Sequence, residues 1–134
     1  MLPLRYPLRW KFAGALLLGA VLFMAVIPAA WPWHLLRGPD WIETDKWLHG
    51  VTFFLLALWY SGQYARRSYH WLGAGLIAFG ALIEGCQLLV AYRAADWWDL
   101  AADAVGVAAG LAVALAGLGG WSLKMEAWYR ERFG

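Results

Sequence analysis

Charge is what this sequence has least of. Only 15% of its 134 residues are Asp, Glu, Lys or Arg, and 63% are apolar, where soluble domains carry about a quarter charged. The few charges sit in short clusters between long uncharged runs, whereas a soluble helical domain would spread them along an outer face of every helix. That excludes an ordinary soluble fold and leaves a membrane protein with room for a single domain. A formal net charge of +2, with no basic run interleaved with aromatics, excludes a nucleic-acid surface. The one cysteine, Cys86, allows no disulfide framework and reads as a small buried hydrophobe. No Gly-x-Ser-x-Gly nucleophile motif is present, and no inverted repeat of the kind transporters use can be found.

What is present divides the chain into four apolar spans. Arg5, Arg9 and Lys11 precede a first span of about residues 12–33, which ends at Pro28 and Pro32. This start resembles a secretory signal with a small-residue site at Pro28-Ala29-Ala30. Cleavage is not expected, because losing this span would leave an odd number of helices and reverse the charge balance. A mixed loop follows, and the second span runs over about 45–64. A basic turn, Arg66-Arg67, leads to a small-residue-rich third span, 71–92, and the fourth covers 99–120. The expected fold is an all-α membrane protein, a four-helix transmembrane bundle. The tail, 121–134, alternates aromatics with Lys124, Arg130 and Arg132 and is expected to lie in the interface. Counting Lys and Arg in the short connections puts both termini in the cytoplasm, with the tryptophans ringing both interfaces.

With that topology the polar residues of three spans gather at the extracytoplasmic face. Asp96, Asp99 and Asp103 fall on one helical stripe, as do Asp45 with His49 and Glu84 with Gln87. Glu84 lies nine positions before Arg93, which places that carboxylate on the order of 13 Å below the interface. Ionisable groups at such depth are expensive and mark functional sites. Gly106 and Gly110, below the acidic stripe, allow a second backbone to approach closely. The expectation is a three-helix seam, polar at its mouth and tightly packed beneath.

These residues, Asp45-Lys46-x-x-His49, then Glu84-x-x-Gln87 with Arg93, then Asp99-x-x-x-Asp103 and Gly106, resemble the VanZ-like family of small membrane proteins. The resemblance covers roughly the central half of the chain. Family members often carry Asn where this chain has Asp103, so the seam here holds an extra carboxylate. The resemblance implies a multi-span fold in a bacterial-type inner membrane and a link to glycopeptide (teicoplanin) resistance or envelope maintenance. It implies no particular reaction.

Three functions compete on these residues. The first is a site for a phospholipid, polyprenyl lipid or lipid-linked cell-wall precursor headgroup. Here His49 would be the proton donor or acceptor, oriented by Asp45 or Asp99, with Glu84 beside it. Lys46 and Arg93 would bind phosphate, and Gln87, Asp96 and Asp103 would complete the substrate site. No cofactor is required, although carboxylates such as Asp96, Asp99, Asp103 and Glu84 suit a divalent cation. The second is a small proton-coupled transporter or flippase working through Glu84 and Asp103, for which homo-oligomerisation would enlarge the path. The third is a structural or regulatory subunit in which the seam is only packing.

Overall fold

The computed structural model describes residues 1–26, 44–89 and 97–134, the side chains of Thr44 and Asp45 apart. Its helices are α1 (Pro7–Val26), α2 (Thr44–Ser61), α3 (Tyr69–Leu88), α4 (Trp97–Val113) and α5 (Trp121–Phe133), with a short 3₁₀ turn at Arg66–Ser68. Among the described residues there is no strand. Pro7 opens α1, where its missing N–H would have no partner and its fixed φ suits a first turn. At its far end α4 widens into a π turn at Ala114–Leu118. Gly117 and Gly120, at φ 145° and 71°, supply the backbone angles that turn the chain into α5.

Three stretches are long and apolar enough to cross a membrane: Pro7–Val26, Arg66–Leu88 and Trp97–Leu118. α1 buries only Gly14 and leaves Leu8, Phe12, Leu16 and Phe23 exposed. A helix apolar all round and mostly uncovered is stable in lipid, not in water. The chain is therefore helical and membrane-embedded. α2 is not among the three spans because its first turns carry Asp45, Lys46 and His49. Yet α2 is the helix the others pack around. Phe53, Leu56 and Ala57 of α2 form the core with Leu76 and Ile83 of α3 and Val107 of α4, and α1 covers them with Leu17, Leu18, Val21 and Leu22.

The α2–α4 pair is the most extensive in the molecule. Its closeness comes from glycine: a Cβ on Gly106 would meet the Gly50 carbonyl, and one on Gly110 would meet the Phe54 carbonyl and the Ala57 side chain. The close approach anticipated at Gly106 and Gly110 is thus made by α2, and it lies directly beneath His49 and Asp103.

The opposite end of the bundle is knitted together by both termini. The Leu2 amide donates to the Gln63 carbonyl at 2.8 Å, Gly120 N to Ser61 O at 3.0 Å, and the Trp121 indole to Leu58 O at 2.8 Å. Trp10, Trp59 and Trp121 form a cluster with ring centroids 5.5–5.7 Å apart. Above it, Glu126 of α5 accepts from the amides of Arg5 (2.8 Å) and Tyr6 (3.3 Å) and from the Trp10 indole (2.8 Å) at the head of α1. A carboxylate there satisfies otherwise open donors and complements the helix dipole. Burial pushes the Glu126 carboxyl up, but these three donors and the Arg5 charge outweigh it and hold it below the ordinary carboxylate range. A lowered folded pKa means that the stabilisation is present at neutral pH and is lost as pH falls through that value. Glu126→Gln should therefore unfold at a lower temperature than wild type at pH 7, by about 0.5 kcal/mol once solvent screening is included. The gap between the two thermal midpoints should close as pH falls through the carboxylate range. An equal gap at both ends of that range would show that the charge contributes nothing.

Candidate functional site

At the end of the bundle away from the termini, α2, α3 and α4 bring ionisable side chains to one point. Lys46 and His49 come from the start of α2, Glu84 and Gln87 from the end of α3, and Asp99 and Asp103 from the start of α4. Glu84, Gln87, Asp99 and Asp103 are all buried, Asp99 to 1% exposure and Asp103 to 0%. The helical spacings explain the convergence. His49 lies five residues into α2 and Asp103 six residues into α4, each about one and a half turns, so the two stand at a similar depth where α2 and α4 meet.

A short contact joins them: His49 Nδ1 is 2.7 Å from Asp103 Oδ1. With Asp103 ionised, the proton of this bond is on Nδ1, because a carboxylate only accepts. The other ring nitrogen, Nε2, then faces two more carboxylates, Asp99 Oδ2 at 3.7 Å and Glu84 Oε1 at 4.0 Å. Lys46 Nζ lies 3.7 Å from the second oxygen of Asp99 and is the more exposed member, at 21% for its side chain. Gly80 of α3 sits under Asp103, where a Cβ would come within 2.5 Å of Oδ2. That glycine leaves the space in which the carboxylate turns toward His49.

Lys46, His49, Glu84, Asp99 and Asp103 are therefore together. Among the described residues Asp103 holds His49 at Nδ1, where the sequence suggested Asp99, which faces the other ring nitrogen instead. Asp99 sits one turn nearer the start of α4, level with Lys46 and with the Nε2 side of the ring. Gln87 points elsewhere: its Nε2 donates to the Ala25 carbonyl of α1 at 3.0 Å, which ties α1 to α3. Its buried Oε1 has no hydrogen-bond partner among the described residues. Arg93, Asp96 and the side chain of Asp45 lie outside the described residues. Gly80 was missed as a site residue, since in the sequence it is one of several small residues in α3 and only the α3–α4 contact singles it out.

Chemically, the cluster holds an imidazole hydrogen-bonded to a buried carboxyl group, two carboxylate oxygens within 4.0 Å of its second nitrogen, and an ammonium at the rim. It can bind a cation between the three facing atoms or a polar headgroup at its mouth. Comparison with protein-family models, with curated proteins and with solved structures finds no match for this chain.

Proposed function

We propose that this chain is a small multi-pass protein of the VanZ-like type that binds the phosphorylated headgroup of a membrane lipid or lipid-linked envelope precursor. In this reading the fourth helix, α2, also spans the bilayer, because its polar first turns face α3 and α4. The membrane is a bacterial-type inner membrane, both termini are cytoplasmic, and the cluster opens to the extracytoplasmic face, where precursors for envelope maintenance and targets of glycopeptides such as teicoplanin are found. The basic N-terminus, the Arg66-Arg67 turn and the basic tail support that orientation.

One observation carries the reading: a His49–Asp103 pair at 2.7 Å, inside a membrane-embedded bundle, with Nε2 turned toward Glu84 and Asp99. Intramembrane ionisable residues from three helices that converge on one nitrogen describe a site better than packing. Lys46 at the rim meets the phosphate, and the seam beneath is closed by the Gly50–Gly106 contact. The lipid-facing flanks of the helices take the acyl or polyprenyl chain.

Native mass spectrometry of the full chain in detergent tests this, with a polyprenyl monophosphate and, as a headgroup control, diacylglycerol. Wild type should retain the phosphate lipid and not the control. Lys46→Ala should weaken retention by about 10–100-fold, the loss of one charged hydrogen bond. Equal retention by wild type, Lys46→Ala and His49→Ala, with only thermal stability lowered, would make the cluster a structural network. Preference for a cationic headgroup would equally overturn the phosphate reading.

A further inference from the structure

The end of the bundle that holds both termini carries a second feature, opposite the cluster. α1 runs away from this end, α2 returns to it and α3 leaves it again, with the Arg66–Ser68 turn between the last two. Between the three helices lies a groove of about 510 Å³, the size of a small-molecule site. The packing explains its position. Tyr60 of α2 leans on α1, its hydroxyl donating to the Gly14 carbonyl at 2.9 Å, and α1 covers the core farther on with Leu17, Leu18, Val21 and Leu22. On the α3 side Gly75 keeps the groove wide, since nothing lies within 4 Å of a Cβ built there.

The groove has a polar mouth and an apolar floor. Tyr64 and Ser68 line it at the bundle end, beside Trp71, which is 74% exposed and stands where indoles meet the interface. Gly75, Leu76 and Phe79 carry it inward along α3 to Leu18 of α1. From Ser68 to Phe79 is eleven positions, about 16 Å at the helical rise. One leaflet of hydrocarbon is roughly 15 Å deep, half of the core thickness. The groove thus reaches from the interface to the midplane and stops. A partner helix would cross both leaflets, whereas a lipid chain fills one.

Charge decides which lipid. Eight of the eleven Lys and Arg residues belong to this end of the chain, against two acids, Glu126 and Glu131, and Glu126 is engaged by the head of α1. Arg66 and Arg67 stand beside Ser68 in the turn at the mouth of the groove, both exposed. Among the described residues the ion pairs are made by Lys46 and His49 at the far end, and neither arginine is tied to a carboxylate. Guanidinium groups bind phosphate oxygens in a fork, and basic pockets between spans select anionic headgroups. We infer that the α1–α2–α3 groove holds one chain of an anionic phospholipid, its phosphate on Arg66 and Arg67, in the leaflet at the end of the termini. This site is separate from the proposed headgroup site, which lies in the other leaflet.

The test offers the full chain in detergent equal amounts of phosphatidylglycerol and phosphatidylcholine with the same acyl chains, and reads retained lipid by native mass spectrometry. Wild type should retain phosphatidylglycerol in preference to phosphatidylcholine, and Lys46→Ala, weakened at the other site, should keep that preference. Arg66→Gln/Arg67→Gln should lower phosphatidylglycerol affinity by about 10–30-fold, at roughly fivefold per surface charge, and leave phosphatidylcholine unchanged. Gly75→Phe, which fills the groove, should lose both lipids. Gly85→Phe on the same helix should behave as wild type, since a Cβ there also meets nothing within 4 Å. Should Gly75→Phe fail to fold, judged by helical circular dichroism, the exposed arginine pair still decides. No preference in wild type, or equal phosphatidylglycerol retention by wild type and the arginine variant, overturns the inference. A Lys46→Ala chain that loses the preference places the lipid at the cluster and overturns it too. So does a wild-type dimer that Gly75→Phe converts to monomer, which makes the groove an interface between copies. Polyprenyl monophosphate binding should be unchanged in Gly75→Phe, so that failure of the groove and failure of the headgroup site are read separately.

Discussion

Gly106→Val should leave α2 and α4 unable to pair and should remove most folded protein from the membrane. The added Cβ would be driven into the carbonyl of Gly50, with the Phe54 amide close behind. Overpacking a core against side chains costs about 1–3 kcal/mol because rotamers can shift. Here the obstacle is backbone, so relief needs the two helices to separate. Since α2 carries Phe53, Leu56 and Ala57 at the centre of the core, separation uncovers that core and pulls His49 from Asp103 together. The expected loss exceeds about 3 kcal/mol, read as the shift in the midpoint of detergent-induced unfolding. Gly19→Val is the matched control, since nothing lies within 4 Å of a Cβ at Gly19. It should change stability by less than about 0.5 kcal/mol. Similar behaviour of the two variants would mean that the α2–α4 contact does not hold the bundle.

His49→Ala is expected to be the most damaging change within the cluster, for stability as well as binding. It takes away the imidazole that lies 2.7 Å from Asp103, a carboxylate with no exposure to solvent. Removing one member of a buried charged pair typically costs about 3–5 kcal/mol, because the other charge stays behind. Asp103→Asn keeps the shape and an acceptor for Nδ1, so it should cost about 1–2 kcal/mol. The order matters more than either figure. His49→Ala should unfold well before Asp103→Asn, and the double variant should be no less stable than His49→Ala, since the buried carboxylate is then gone as well. A double variant that loses the sum of both costs would show that the two residues do not act on one another.

Much of this was legible in the sequence wherever helical periodicity carries the information. The offsets from Asp99 to Asp103 and to Gly106, and from Lys46 to His49, fix which residues share a face before any packing is known. The depth of Glu84 singles it out in the same way. Which faces meet is a tertiary fact. Asp103 rather than Asp99 meets His49 Nδ1 because the Gly50–Gly106 contact sets the relative height of α2 and α4. Nothing in either helix alone contains that height. Gly80 is one of several glycines in α3 until Asp103 is found against it. Glu126 is separated from Arg5 by 121 positions and by every span between them. No local pattern announces such a clasp. α2 shows the opposite case: its polar first turns lower its hydropathy below that of the other long helices, and those same residues build the site.

The central claim is that side chains from three separate helices make one site, and coupling between helices measures it. Binding of a polyprenyl monophosphate to the full chain should be compared for wild type, His49→Ala, Glu84→Gln and the double variant, one residue from α2 and one from α3. If the cluster works as a unit, each single change lowers affinity by about tenfold or more and the double change little further, a coupling above about 1.4 kcal/mol. Losses that multiply, so that the double variant falls by the product of the two, would mean that His49 and Glu84 act apart and that no common site exists.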